Sequence, residues 1–300
     1  MNRSSIRVIL ASALGALALA VTVAYAASTE VVTNEDIERG QFTNTPGSQP
    51  PPQQTSKSWY QIERRSVGGA YGTGIIDTAL GAPAGGGVGS YHTQTTDGGS
   101  KVSLFNMDAY NGKPLGDLQD LSYYTYRNAG TGDQLPALNI WLDTNNNGLL
   151  ERGIDPVLVY EPVYNNTNQA IVSGQWQKWE TFAGNWWLAE SPLPGMCTGA
   201  AYSCMKTLAE IVAAYPGLTI GGIGINQGSG NNGLDAATDL LTVKYAGDEV
   251  TYNFEPYRVA GSNEDCAKNG YKSVKDSNGQ PFKNQGQCVS FVNSNRGGNK

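Results

Sequence analysis

Lys101-Val-Ser-Leu-Phe-Asn106 is the stretch that decides the fold, because its residues alternate and place Val102 and Leu104 on one face. A second stretch, Leu-Pro-Ala-Leu-Asn-Ile-Trp-Leu, spans 135–142 and alternates in the same way. Short alternating runs bounded by Gly, Asn, Asp or Pro predict β-strands. Further runs with β character cover 58–64, 89–96, 121–127, 157–163, 175–181, 186–188, 219–226, 240–245 and 250–254.

One helix is predicted, over 207–215, where apolar residues recur at 208, 211, 212 and 215. Thr207 fits the N-cap and Glu210 its capping-box partner, and Pro216-Gly217 ends the helix. Roughly a dozen strands with a single helix predict an all-β chain. We therefore expect an antiparallel, jelly-roll-like β-sandwich with one short helix.

The first 57 residues predict an export signal followed by a spacer. Met1 to Arg7 carry two arginines and no acid, 8–23 are apolar or small, and Ala24-Tyr25-Ala26 offers a small-x-small cleavage site. This pattern predicts a signal peptide over 1–26, cleaved near Ala26, and a secreted, extracellular chain. The alternative is an uncleaved membrane anchor, for which about sixteen apolar residues are short. Residues 27–57 are polar and rich in Pro and Gln, and predict a disordered spacer.

The four cysteines form two local pairs in the sequence, Cys197 with Cys204 and Cys266 with Cys288. In an exported protein an even count predicts disulfides, and the local pairing is favoured among the three that are possible. We expect the sandwich to span 58–256 and a small disulfide-closed C-terminal unit to span 257–300.

Composition argues against several classes of function. The net charge of −6, with no basic run, argues against a nucleic-acid partner. No second apolar stretch approaches the length of a span, so we expect no membrane insertion of the mature chain. Zinc sites built on several histidines are excluded because His92 is the only histidine, and its alternating surroundings predict an ordinary strand residue.

The strongest local motif is Asp-Thr-Asn-Asn-Asn-Gly over 143–148, because alternate oxygen donors before a glycine resemble the first half of a calcium loop. The motif predicts a structural Ca²⁺ site, and the alternative is an Asn/Gly turn without metal. An EF-hand is excluded, since position 12 of the loop is Ile154 and no helix pair flanks it. The predicted ligands are Asp143, Asn145 and Asn147, helped by Glu151 and Asp155.

Aromatic residues between 160 and 187 are the second motif, and they predict a glycan or polysaccharide as partner because Trp and Tyr faces stack on sugar rings. Half of these rings are expected to be core packing, since residues an odd number apart on a strand point to opposite faces. The candidate ligand-binding residues are Tyr160, Tyr164, Trp176, Trp179, Trp186 and Trp187.

No catalytic residues are predicted, because the carboxylates form no compact glycosidase pattern on one strand. The favoured function is therefore a non-catalytic glycan-binding module, with no enzyme activity expected. One alternative is a polysaccharide hydrolase or lyase using a pair such as Glu161 and Glu180. The other is a structural surface or matrix protein.

Several motifs between Trp59 and Pro256 carry a resemblance: Leu121-Ser-Tyr-Tyr-Thr-Tyr-Arg, Leu158-Val-Tyr-Glu-Pro-Val-Tyr, Gly174-Gln-Trp-Gln-Lys-Trp and Gly224-Ile-Asn-Gln-Gly-Ser-Gly. On these motifs the chain resembles a family of secreted bacterial β-sandwich proteins with no assigned activity. Asp239-Leu-Leu-Thr-Val is similar to the closing strand of jelly-roll carbohydrate-binding modules, which usually have Val-Asp-Asp there. The tail from Cys266 resembles a two-cysteine unit appended to exported bacterial proteins. The resemblance implies the sandwich fold and leaves the activity open.

Overall fold

Strands dominate the computed structural model, which describes residues 27–51, 57–166, 169–196, 198–199 and 204–296. The predicted signal peptide, 1–26, lies outside the described residues. The strands are β1 Ser28–Val32, β2 Ile37–Thr43, β3 Trp59–Arg65, β4 Thr73–Asp77, β5 Ser90–Thr95, β6 Lys101–Asn106, β7 Lys113–Pro114, β8 Leu118–Ala129, β9 Ala137–Leu142, β10 Val157–Tyr160, β11 Trp176–Glu180, β12 Trp187–Ala189, β13 Thr219–Gln227, β14 Leu234–Tyr245 and β15 Asp248–Phe254.

These strands form two sheets, which confirms the predicted β-sandwich. In sheet A, β14 pairs with β8 on one side, and on the other with β5 along its first half and β15 along its second. Strands β11, β4 and β1 add to β8, β5 and β15. Sheet B has the order β12-β10-β9-β13-β6-β3-β2, with β7 beside β13. Two pairs are parallel, β1 with β15 and β2 with β3, so the sheets are mixed and not purely antiparallel.

The main core lies between the two sheets, where strand alternation directs one set of side chains. Leu104, Ile140 and Ile225 reach it from sheet B, and Leu241 and Phe254 from sheet A, and all five are fully buried. Opposite side chains of sheet B form a second apolar cluster on its outer face. Sheet B is thus covered on both faces, which explains why its central strands are almost entirely buried.

The prediction of a disordered spacer over 27–57 is wrong for residues 28–43. Strand β1 runs beside β15 at one edge of sheet A, and β2 runs beside β3 at one edge of sheet B. An edge strand is held by main-chain hydrogen bonds and needs few apolar side chains, so a polar composition does not exclude it. Val32 and Ile37 are the buried apolar residues in these two strands.

Helix α1, Leu208–Ala214, confirms the predicted helix and its capping box. The Thr207 Oγ1 accepts from the Glu210 backbone N–H, and the Glu210 carboxylate accepts from the Thr207 N–H at 2.8 Å. Two further short helices, α2 Asn263–Cys266 and α3 Gln285–Arg296, lie in the C-terminal unit. No helix in the described ranges is long and apolar enough to cross a membrane.

The C-terminal unit has a small core of its own, closed by the predicted Cys266–Cys288 disulfide. Both sulfurs are buried with Val274, Phe282 and Val292 in a cluster separate from the sandwich core. Cys204 is also disulfide-bonded, whereas Cys197, its predicted partner, lies outside the described residues.

Replacing Cys266 and Cys288 together by serine is expected to destabilise the C-terminal unit and leave the sandwich folded. The bridge closes a loop with a sequence separation of 22 residues, and opening such a loop costs about 3 kcal/mol in the chain-entropy model. Limited proteolysis should then cut within 257–296 while the sandwich stays intact. A single melting transition shifted for the whole chain would contradict this independence.

Candidate functional site

A polar cleft crosses the outer face of sheet B. Two adjoining depressions there share Arg64, Lys101, Asn139, Val157 and Glu190. The cleft also includes Glu161, Trp187, Asn226 and Ser229. We call this surface the sheet B cleft.

Strand register explains how residues far apart in sequence reach one face. Arg64 of β3 pairs with Lys101 of β6, and Asn139 of β9 pairs with Val159 of β10. Val159 pairs in turn with Trp187 of β12. Lys101, Asn139, Val159 and Trp187 are each one position away from a core residue. Arg64 lies five positions, an odd number, from the core residue Trp59 on β3, so all five point to the outer face.

Two glycines of the central strand β13 lie on the outer face of sheet B. Ile223 and Ile225 of β13 point into the core. Gly222, which precedes Ile223, and Gly224, which lies between the two isoleucines, therefore belong to the outer face. Gly224 pairs with Phe105 on one side and Asn139 on the other. Because glycine has no side chain, the main chain of Leu104 and Phe105 in β6 lies close against Gly224.

The N-terminal segment and the loop after β9 cover the other part of this face. Arg152 holds them together: its backbone carbonyl accepts from Gln49 Nε2 at 2.9 Å and its Nη1 donates to Asn44 Oδ1 at 3.0 Å. The Arg152 guanidinium also lies 5.6 Å from the Phe42 ring centre and pairs with Glu190 at 3.3 Å. The segment predicted to be a spacer therefore forms a wall beside the cleft.

Three buried polar atoms on this face have no partner among the described residues: Arg64 Nε, Asn139 Oδ1 and Trp141 Nε1. Buried polar groups are nearly always hydrogen-bonded, so unpartnered groups call for a specific explanation. Arg64, Asn139 and Trp141 are only 8%, 2% and 6% exposed. Two donors and one acceptor, grouped on one face, suit a ligand that both accepts and donates hydrogen bonds.

The charged groups of the cleft are perturbed by burial. Burial, and secondly the charge of Arg64, lower the pKa of Lys101 to about 8. Burial raises the pKa of Glu161, opposed by a hydrogen bond from Trp187 Nε1 at 3.1 Å. Glu190 has a φ of 67°, a backbone strain that non-glycine residues rarely adopt and that is often found at functional sites. Perturbed groups of this kind within a cleft mark a candidate binding site.

The predicted aromatic platform is wrong for three of its six members. Tyr160, Trp179 and Trp186 lie in the main core, at 2%, 3% and 0% exposure, because their strand positions point inwards. Their polar atoms are used internally; the indole of Trp179, for instance, donates to Thr125 Oγ1 at 2.9 Å.

The other three predicted aromatic residues are partly buried. Trp187 lies in the sheet B cleft. Trp176 packs on Tyr126 of sheet A, with ring centres 5.5 Å apart, and Tyr164 ends the turn Pro162–Tyr164. One predicted residue, Trp187, therefore belongs to the candidate site.

The predicted carboxylate pair does not come together either. Glu161 lines the sheet B cleft, whereas Glu180 extends from β11 of sheet A, where it pairs with Lys178 at 2.6 Å. Trp179, its neighbour in β11, points into the core, so Glu180 faces outwards on the opposite side of the sandwich. Glu161 and Glu180 thus belong to different sheets, and a hydrolase using the two as acid and base stays a prediction.

The predicted calcium loop is closed by its own hydrogen bonds. The two carboxylate oxygens of Asp143 accept from the backbone N–H groups of Asn147 and Gly148, at 3.2 and 2.8 Å. The side-chain amides of Asn145 and Asn147 both donate to Glu151, and these bonds lower the pKa of Glu151.

The last predicted ligand, Asp155, anchors the far end of the same loop. Its carboxylate accepts from Thr144 at 3.2 Å and from the Glu151 N–H at 3.0 Å, while burial raises its pKa. No group of three or more His, Cys, Asp and Glu is arranged as a metal site in the described residues. The loop has the geometry of an Asx turn, and calcium binding by it stays a prediction.

No family model and no curated protein matches this chain. The resemblance to a secreted β-sandwich family therefore stays a prediction, and function must be argued from the cleft itself.

Most of the cleft was missed by sequence analysis. A signal was present in Ala-Leu-Asn-Ile-Trp-Leu of β9, since Asn139 is a polar residue in the middle of a buried strand. Such a residue is expected to be hydrogen-bonded or functional. Lys101 and Arg64 gave no local signal, because charges at strand ends are common on any surface.

Proposed function

We propose that this protein is a non-catalytic module that binds glycan in the sheet B cleft. The observation that carries the proposal is the grouping of unpartnered polar atoms, Arg64 Nε, Asn139 Oδ1 and Trp141 Nε1, on the face whose adjoining depressions are also lined by Trp187. A sugar presents hydroxyl groups that donate and accept, and an apolar CH face that stacks on an aromatic ring. Secretion of the chain, as predicted from residues 1–26, would place such a module among extracellular polysaccharides.

The proposal is tested by a polysaccharide binding screen on residues 27–300, followed by affinity measurements on two tryptophan variants. Trp187→Ala is expected to weaken binding at least about tenfold, since truncating an aromatic anchor at a binding hot spot commonly costs about 2 kcal/mol or more. Trp176→Ala is the matched control, because Trp176 is also a partly buried strand residue but lies on sheet A. Equal losses in the two variants, or binding in neither the parent chain nor the variants, would contradict the proposal.

The same screen tests the calcium prediction. If Ca²⁺ braces the loop at 143–155, removal by EDTA is expected to lower the melting temperature, and Asp143→Asn should remove that response. Loss of stability in EDTA without any glycan binding would favour the structural-protein alternative.

One observation favours a second candidate function, glycoside hydrolysis. Glu161 and Glu190 both line the cleft, and burial raises the pKa of Glu161 as a general acid requires. If the protein is an enzyme, Glu161→Gln should abolish release of reducing sugar while binding is retained. If it is a binding module, no sugar is released by either chain, and Glu161→Gln still accepts the Trp187 hydrogen bond and changes affinity little.

A further inference from the structure

Arg64 and Lys101 form an adjacent pair of cations in the cleft. They are register partners on β3 and β6, and no carboxylate lies within 4 Å of either side chain in the described part of the chain. Arg64 is nine-tenths buried; its Nη2 donates to Ser229 Oγ at 2.9 Å and its Nε has no partner. Burying charges without an opposite partner is costly, and a fold that keeps two side by side is suited to an anion.

The remaining charges of the cleft leave a small positive surplus. Besides Arg64 and Lys101, the lining charges are Arg152, Glu190 and Glu161. Arg152 is already paired with Glu190. Three cations against two carboxylates leave one positive charge, and a singly charged anionic group on the ligand would balance it.

We propose that the cleft selects acidic glycans, whose anionic group, a ring carboxylate or a sulfate ester, is held between Arg64 and Lys101. This inference rests on the proposed glycan-binding function and names its ligand class. The guanidinium of Arg64 and the ammonium of Lys101, which both line the cleft, supply charge-assisted donors to the anion. Asn139 Oδ1 and the Trp187 ring are left for the hydroxyls and the CH face of the same sugar.

Lys101 gives the proposal a distinctive pH dependence. The ammonium must be protonated to hold an anion, and its pKa of about 8 lies within reach of ordinary buffers. The titratable and charged groups that act on it are Arg64, Arg152, Glu190 and Glu161. Affinity for an acidic glycan is therefore expected to vary little between about pH 5 and 7, where its carboxylate is ionised, and to fall as the pH rises through about 8.

The test compares polygalacturonate with its fully methyl-esterified form, which has the same sugar backbone but no charge, and with a sulfated galactan. We expect at least a tenfold preference for polygalacturonate or the sulfated galactan over the ester, and the comparison of the two acidic polymers identifies the anionic group. Binding of the ester at equal or higher affinity would overturn the acidic specificity and leave glycan binding standing. If the protein binds none of these three polymers and no other glycan in the screen, the proposed function is overturned and this inference with it.

Two substitutions at Lys101 separate charge from fold. Lys101→Met should weaken binding of the acidic glycan at least tenfold without lowering the melting temperature. The remaining affinity should no longer fall above pH 8. Lys101→Arg should keep the affinity and extend it to pH 9.5, because arginine stays charged. Lys178→Met, which removes the same charge from sheet A, is the control. Unchanged affinity in Lys101→Met, or a loss above pH 8 that persists in Lys101→Arg, would overturn the role of Lys101.

Discussion

Asp239→Asn is expected to raise the melting temperature at neutral pH, by an amount that grows between pH 4 and 8. Asp239 is fully buried in β14; its Oδ1 accepts from the Phe254 N–H at 2.9 Å and its Oδ2 has no partner in the described residues. Burial raises the pKa of Asp239 to about 8, although hydrogen bonds from the backbone N–H groups of Phe254 and Leu240 act to lower it. The folded chain thus holds a proton that the unfolded chain releases above its ordinary pKa of 3.8.

The sign follows from that difference in proton binding. The contribution of Asp239 to the free energy of unfolding is fully present below pH 4, falls as the pH rises towards 8 and is level above pH 8. It falls because, between these pH values, the folded state binds one proton more than the unfolded state. Asparagine is neutral at every pH and keeps the acceptor for Phe254, so the variant avoids this loss. The gain is on the order of 3 kcal/mol at pH 8, or about 6–12 °C for a domain of this size.

Thermal unfolding of the parent chain and the variant between pH 4 and 9 measures the effect. Asp248→Asn is the control, since it makes the same replacement at an exposed position at the start of β15. A variant that is less stable than the parent at pH 8 would mean that Asp239 is ionised in the folded protein and held by a cation.

Gly224→Ala is expected to destabilise the protein by about 3 kcal/mol or more, because the added methyl group meets main chain that cannot move. A Cβ at Gly224 would clash with the carbonyl oxygen of Leu104 and lie 2.7 Å from the Phe105 Cα. Both belong to β6, which is paired on both sides in the middle of sheet B.

Gly222→Ala is the matched control on the same strand and the same face. There the nearest atom to an added Cβ is the Met107 Sδ, at 2.6 Å, at the far end of a flexible side chain. We expect a smaller loss, about 1 kcal/mol, since the methionine side chain can rearrange. Equal melting temperatures of the two variants would contradict the assignment of Gly224 as a point of close strand approach.

Period-two alternation was enough to predict the strands of the sandwich interior. Val102 and Leu104 of β6 and Leu138 and Ile140 of β9 face the core as the pattern requires. The edge strands β1 and β2 were missed because their stability comes from main-chain hydrogen bonds to β15 and β3, which leave no apolar pattern. Strand β9 begins at Ala137, after Pro136, whose missing N–H cannot join the ladder.

The site was harder to predict than the fold because it is assembled across strands. Trp187 could be named from composition, but its neighbours Lys101 and Asn139 come from strands 86 and 48 residues earlier. Their proximity depends on strand order in sheet B, which local sequence does not encode. Tyr160, Trp179 and Trp186 were misassigned for the opposite reason, since a large aromatic residue fits a sandwich core as well as a binding surface.

The placement of the N-terminal strands has a consequence for how the chain folds. β1 pairs with β15, so residues 28–32 find their partner only when residues 250–254 are available. Two short strands linked by the turn at Asn34–Asp36 thus close an edge of each sheet. Because contacts between distant parts of a chain form slowly, we expect folding to be slow and to be completed only after nearly the whole polypeptide has emerged. An incomplete chain would leave open strand edges that promote association with other copies.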